Sequence, residues 1–280
     1  MSTPIFVAIL AAAAMHAGWN AIVKIGLDRL LSMTLITVAA GLVSMPLLIF
    51  FPPPPQSSLL FLVASIVLHV GYNLALSRAY EIGDLGLVYP IARGTAPMLT
   101  AAIGALVLGE YLTPIESIGV LVLVAGVWLM AARGRVPLHL EGNAIWPALI
   151  TSVFISGYSL SDGLGARASQ SAIGYTLWLF VLDGAALLAV VWALRGRVAL
   201  ASAIPYWRSG AVGGALSLGA YGIVIWAMTK APIAVVATLR ESSVLFAAAI
   251  SVLVLREPLR LSRGLAAVLI TAGVVLIRLA

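Results

Sequence analysis

Cysteine is absent from the 280 residues, which excludes disulfides, thiolate metal sites and a cysteine nucleophile. Charge is nearly as scarce. Only 9% of residues are Asp, Glu, Lys or Arg against 62% hydrophobic, with a mean hydropathy of +1.12, and no water-soluble surface has that composition. No Walker loop, Gly-rich dinucleotide turn, zinc-binding helix or nucleophile elbow occurs, so ATP-driven pumping is not expected, and neither a metal nor an organic cofactor is. The formal charge of +6 does not point to nucleic acid, because the arginines stand singly or in pairs at the ends of apolar runs without a basic stripe or interleaved aromatics.

What the chain does have is apolar runs of membrane-spanning length. They fall at about Thr3 to Ile25, Ser32 to Phe51, Ser57 to Tyr80, Gly86 to Leu108 and Pro114 to Ala132, then at Asn143 to Ala166, Ala172 to Leu194, Trp207 to Thr229, Ile233 to Leu255 and Ser262 to Leu279. Breakers mark the joints: Pro52 to Pro55, Gly83 with Asp84, Thr113 with Pro114, Pro137, Pro205, and Ala231 with Pro232. The first run lacks a basic n-region and a small-residue cleavage site, and reads as a retained first helix. The fold class expected is an all-α integral membrane protein of ten transmembrane helices, built as two five-helix repeats, 1–132 and 143–280, joined by the polar stretch 133–142.

Duplication is written in the residues. In YPIARGTAPMLTAAIGALVLGEYL, Tyr89 to Leu112, Arg93 lies deep in an apolar run. TLRESSVLFAAAISVLVLREPL, Thr238 to Leu259, puts Arg240 at the same place, and the interval from Arg93 to Glu110 equals that from Arg240 to Glu257. The correspondence continues without a gap to AGVWL against AGVVL. An odd number of helices per repeat makes the second enter the membrane from the opposite side, an inverted repeat that serves alternating access. The Lys/Arg bias between loops places both termini outside.

This block, with Pro97, GALVLGEYLTPIESIG and the later ISVLVLREPLRLSRG, resembles the EamA-type transporters of the drug/metabolite transporter superfamily. The resemblance implies a ten-helix basket around a central cavity lined mainly by helices one, three, four, six, eight and nine, moving metabolites, amino acids or drugs. One position departs from the pattern: Val244 stands where the repeat expects the counterpart of Pro97, so any helix-breaking effect of that proline is asymmetric.

Ionisable groups inside hydrocarbon mark a ligand path or a functional site, and they supply the candidates. Helix one carries His16, Asn20 and Lys24 at i, i+4 and i+8 with Trp19 beside them, although Lys24 is better placed to snorkel. Helix three repeats the pattern with His69, Tyr72 and Asn73, and helix six offers Tyr158 with Asp162. With Arg93, Arg240, Tyr89 and Tyr221 these form the expected substrate site. Two guanidiniums favour an anion or a zwitterion such as an amino acid, unless Glu241 or Asp162 neutralises them internally. Desolvation favours the neutral form of a carboxylate, which makes Glu241 and Asp162 the candidates for proton coupling. Glu110 and Glu257, at helix ends, read as loop-fixing; Asp183 stands alone in an apolar run and is given no role.

The expected function is therefore secondary-active or facilitative transport of a small zwitterionic or anionic metabolite across a bacterial-type inner membrane, by a protein that is not an enzyme. The expected partners are that solute, the lipid bilayer and, if transport is coupled, protons. A monomer is expected, with a dimer left open. The competing class is a membrane enzyme acting on a lipid-linked phosphate, since buried Arg, His and Glu suit that chemistry too.

Overall fold

The computed structural model describes residues 1–22, 27–82, 85–131, 142–253 and 261–280, so Lys24 and Glu257 lie outside the described residues. Eleven α-helices occur among them: α1 (Thr3–Ile22), α2 (Arg29–Ser44), α3 (Gln56–Ile82), α4 (Leu85–Ile103), α5 (Pro114–Ala131), α6 (Gly142–Ser169), α7 (Ala172–Ala201), α8 (Trp207–Met228), α9 (Ile233–Arg240), α10 (Ser243–Leu253) and α11 (Leu261–Leu279). Eight segments have the length and apolarity to cross a bilayer, α9 and α10 counting together as one of them, and α5 is a shorter apolar helix. With α6 these make ten segments, as composition predicts. Large apolar side chains on the outside, such as Leu60, Leu106 and Val198, fit a molecule whose solvent is lipid.

Local chemistry sets the helix ends. Asp28 caps α2 by accepting from Leu31 N at 3.0 Å. Thr113 and Glu116 form a capping box at the start of α5, where Thr113 N donates to Glu116 Oε2 at 2.8 Å and Glu116 N to Thr113 Oγ1 at 3.2 Å. Inside the segments, hydroxyls of Thr34, Ser44, Thr100, Thr151, Ser152, Ser159, Thr176 and Thr238 donate to carbonyls one turn back, so these hydroxyls are satisfied within their own helices.

Packing carries the two-fold relation that the sequence implies. The contact of α3 with α6 has its mate in α8 with α1; α4 with α6 is matched by α9 and α10 with α1; and α2 with α8 is matched by α7 with α3. Three pairs, α2 with α7, α5 with α11 and α4 with α9, are their own mates and lie on the axis. Exchanging the repeats maps each of these contacts onto another of them, as a pseudo-two-fold axis requires.

Two of these axial pairs, α5 with α11 and α2 with α7, approach backbone to backbone. A Cβ on Gly273 of α11 would sit 2.7 Å from Gly119 O and from Leu123 N of α5, and one on Gly126 would sit 2.8 Å from Ile270 N. Without aqueous driving force between helices, such close approach is the main source of packing energy. Gly210 and Gly214 of α8, a small-xxx-small pair, face Leu35 and Ala40 of α2, so that spacing serves contact within the chain.

One difference from the expectation concerns helix nine. The helix containing Pro97 is continuous through it, whereas the corresponding segment of the second repeat, which lacks proline, is divided into α9 and α10. The joint is a tightened turn of i to i−3 hydrogen bonds: Glu241 N to Thr238 O, Ser242 N to Leu239 O, Val244 N to Glu241 O and Leu245 N to Ser242 O. The asymmetry is real but lies in the other repeat, at the charged residues.

Replacing Gly273 by Val forces a branched side chain into the α5 and α11 backbones, and the detergent-solubilised protein is expected to lose about 1–3 kcal/mol of stability. Gly264→Ala, where a Cβ meets nothing within 4 Å, is the matched control and should melt with the wild type. Equal melting of all three would show that the axial contact is not tight.

Candidate functional site

A buried charge cluster joins the two repeats. Arg93 of α4 is 2% exposed and donates from Nε to Glu241 Oε2 at 2.8 Å. Arg240, 3% exposed, brings its own Nε to 3.6 Å from Glu241 Oε1, close enough for charge attraction and too far for a hydrogen bond. Adjacent positions on a helix diverge by about 100°. Glu241 accordingly turns to α4 while Arg240 turns to the interior, its Cζ 5.9 Å from the ring centroids of both Tyr158 and Tyr221. Two guanidiniums and one carboxylate leave one formal positive charge in excess. Internal neutralisation by Glu241 is thus present, and it is partial.

Both arginines face a cavity of about 80 Å³, room for a handful of waters or one small solute. It brings together His16, Trp19, His69, Tyr72, Asn73, Arg93, Tyr158, Tyr221 and Arg240. Asn20 is not on its wall; its amide donates to His16 O at 2.9 Å, just as Asn73 donates to His69 O at 2.8 Å. Tyr89 lies in α4, but its side chain is outside the described residues. His16 packs edge-on against Trp19 with centroids 5.0 Å apart, and its Nε2 has no hydrogen-bond partner among the described residues. His69 stacks on Tyr158 at 4.1 Å and meets Ser65 Oγ through Nδ1 at 3.1 Å.

The two carboxylates proposed for coupling stand behind this wall. Asp162 is fully buried within α6: Tyr175 Oη donates to Oδ1 at 3.3 Å and Tyr221 Oη to Oδ2. Asp162 makes no contact with the arginines that it was a candidate to neutralise; it is held by phenols instead.

The carboxylate that does line the cavity is Asp183 of α7, together with Thr37, Phe180 and Ser217. Its reading as a residue isolated on an apolar face is corrected. The packing of α7 on α2 and α8 turns that face inward, so helices two and seven join the expected lining helices. An intramembrane carboxylate was itself the sequence signal for it.

At one end of the bundle Arg167, in the last turn of α6, donates from Nε to Met228 O at 2.9 Å, from one terminal nitrogen to Ala231 O at 3.1 Å, and from the other to Glu110. Glu110 Oε2 accepts from Ile233 N at 3.0 Å, at the start of α9. Gly109, left-handed at φ 66°, turns the chain so that Glu110 reaches it. The loop-fixing reading of Glu110 holds, and the loop is fixed to the other repeat.

A family profile, that of the EamA-like transporter family, matches residues 3–132 and again residues 143–279. The chain belongs to the EamA-like transporter family. It is a multi-pass membrane transporter of the drug/metabolite transporter superfamily, and transport is what this family does. No curated protein sequence matches the chain. A crystal structure of a protein 16% identical in sequence superposes with a TM-score of 0.80, covering 100% of this chain and 98% of that one; at that identity the likeness shows the fold alone. In this EamA-like chain the polar cavity sits where both repeats contribute side chains, from α1, α2, α3 and α4 in one and α6, α7, α8 and α9 in the other.

Glu241→Gln removes the counter-charge of Arg93 while keeping the shape, and is expected to cost about 3–5 kcal/mol. Adding Arg93→Gln to that variant should restore much of the melting temperature in detergent, because the stranded charge is gone. A Glu241→Gln single variant as stable as wild type would mean that water already solvates the cluster.

Proposed function

We propose that the protein carries a small zwitterionic or anionic organic solute, an amino acid or a solute of that size, across a bacterial-type inner membrane by alternating access. The observation that carries this reading is Arg240. It lines the cavity at 3% exposure, and its Nε donates no hydrogen bond among the described residues. A guanidinium is expensive to bury and offers a planar fork that matches a carboxylate, so a fork left turned toward a cavity is suited to a carboxylate arriving in it. The cavity volume favours a solute of few heavy atoms. The two-fold packing supplies the geometry for alternating access, since each repeat can rock against the other about the shared site.

Flux of radiolabelled amino acids in proteoliposomes tests this reading, with a phosphate-release assay on the same preparation to detect the lipid-phosphate enzyme instead. Arg240→Lys keeps the charge and loses the fork. Apparent substrate affinity is expected to fall about tenfold or more while folded yield stays at the wild-type level. Unchanged affinity, or preference for a simple organic cation, would remove the arginine from the site.

Coupling to protons has a structural candidate in Asp162, which is joined to the cavity wall through Tyr221. Asp162→Asn is expected to abolish accumulation driven by a pH gradient and to spare solute counterflow. If accumulation persists in full, and does so too in Glu241→Gln and His16→Gln, the protein is a facilitator.

A further inference from the structure

The cavity wall contains a carboxylate with one oxygen that no described residue engages. Asp183 is 5% exposed and lies eleven residues past Ala172, the first residue of α7, or about 16 Å along a helix, well away from the end of the segment. Its Oδ1 has no hydrogen-bond partner, and no ion pair joins it, among the described residues. Two polar groups of the same wall are bonded to other residues: Tyr221 donates to Asp162, and His69 Nδ1 meets Ser65. A carboxylate in hydrocarbon is stable only with a partner, and an unpaired one turned toward a cavity is suited to a partner that comes from outside.

The positive charge of the same cavity lies on another wall. Asp183 projects from α7, which packs on α2, α3, α6 and α8; Arg93 and Arg240 project from α4 and α9, which pack on each other. Glu241 leaves the arginine pair one formal charge in excess, and Asp183 puts a carboxylate elsewhere on the lining, so the lining carries both signs of charge, with Asp162 behind it held by Tyr175 and Tyr221. A simple anion would be repelled by Asp183 and a simple cation by the arginines. A zwitterion meets both charges.

We infer that Asp183 recognises a substrate ammonium group, so that the solute is a zwitterion whose amine meets Asp183 and whose carboxylate meets Arg240. The inference rests on the transport reading of this cavity and narrows it from anions and zwitterions to zwitterions.

The test is binding to the purified full-length protein in detergent, measured by thermal shift and calorimetry with three sets of probes: the proteinogenic L-amino acids, their N-acetyl derivatives and their amides. At least one free amino acid is expected to bind, and N-acetylation, which removes the ammonium, to weaken it about tenfold or more. Asp183→Asn should weaken the free amino acid by a similar factor and abolish the difference between free and acetylated forms. Arg240→Lys should instead shrink the difference between the acid and its amide. Should Asp183→Asn fail to fold, Asp183→Glu serves: lengthening the side chain should weaken the free amino acid and leave the N-acetyl form unchanged.

The inference is overturned if the acetylated and free forms bind the wild type equally, if Asp183→Asn retains the discrimination, or if no amino acid binds. Flux in proteoliposomes separates this from the transport reading. Binding with the predicted pattern and no flux of any solute would keep the ammonium site and discard transport; flux of an amine-free carboxylate with no amino-acid binding would do the reverse.

Discussion

The interaction on which the rest depends is the bond between Arg93 and Glu241, because it ties α4 of one repeat to the α9 and α10 joint of the other in a medium that tolerates neither charge alone. Neither side chain is more than 3% exposed, so water does not screen the pair. Many serine and threonine hydroxyls in the bundle, such as those of Ser159 and Thr238, are satisfied by their own helices and impose little on neighbouring segments. A guanidinium has no such local solution. It must find a carboxylate across a helix interface, and in doing so it fixes how the repeats meet.

The same bond shows where the duplicated halves have diverged. The residue after Arg240 is Glu241, whereas the residue after Arg93 is Gly94, where any Cβ would run into the indole of Trp128 at 2.3 Å. One repeat thus supplies the carboxylate and the other has no room for it. With a single carboxylate for two arginines, the guanidiniums become unequal: Arg93 is hydrogen-bonded through Nε, and Arg240 is held by a longer contact and by two aromatic faces. The tightened turn of i to i−3 bonds begins at these residues, so the backbone is least regular where the charges are.

Much of this was legible in the chain. Composition and run length gave the bundle, and the shared interval between arginine and glutamate gave the duplication that the packing repeats. Faces on helices one and three could be read because His16 with Trp19, and His69 with Tyr72 and Asn73, fall at helical spacing, and they meet in one cavity. Asp183 was legible as an intramembrane carboxylate, but its place on the cavity wall was not. A lone polar residue has no periodic partner, and which face of α7 turns inward is decided by how closely α2 approaches it, with Gly41 and Gly184 giving up their Cβ atoms to backbone carbonyls. The tie between Arg167 and Glu110 was equally hidden, since it joins helix ends 57 residues apart in different repeats. Pro97 misdirected the expectation for helix nine: its ring is accommodated in a continuous α4, and charge, not proline, marks the joint.

The inequality of the arginines has a consequence for how a carboxylate would bind under the proposed function. Taking Arg93 would mean breaking a 2.8 Å charge-assisted bond and stranding Glu241 with only a distant counter-ion. Approaching Arg240 disturbs only the 3.6 Å contact, and the arriving carboxylate replaces the attraction it weakens. Arg93 is therefore the residue that holds the repeats together, and Arg240 the one with binding capacity to spare. Because Glu241 is shared between them, any pull on Arg240 from inside the cavity reaches the α4 contact through one side chain, without a change elsewhere in the bundle. Under the proposed function, solute binding and the meeting of the two repeats would fall on the same three residues, the coupling that alternating access needs.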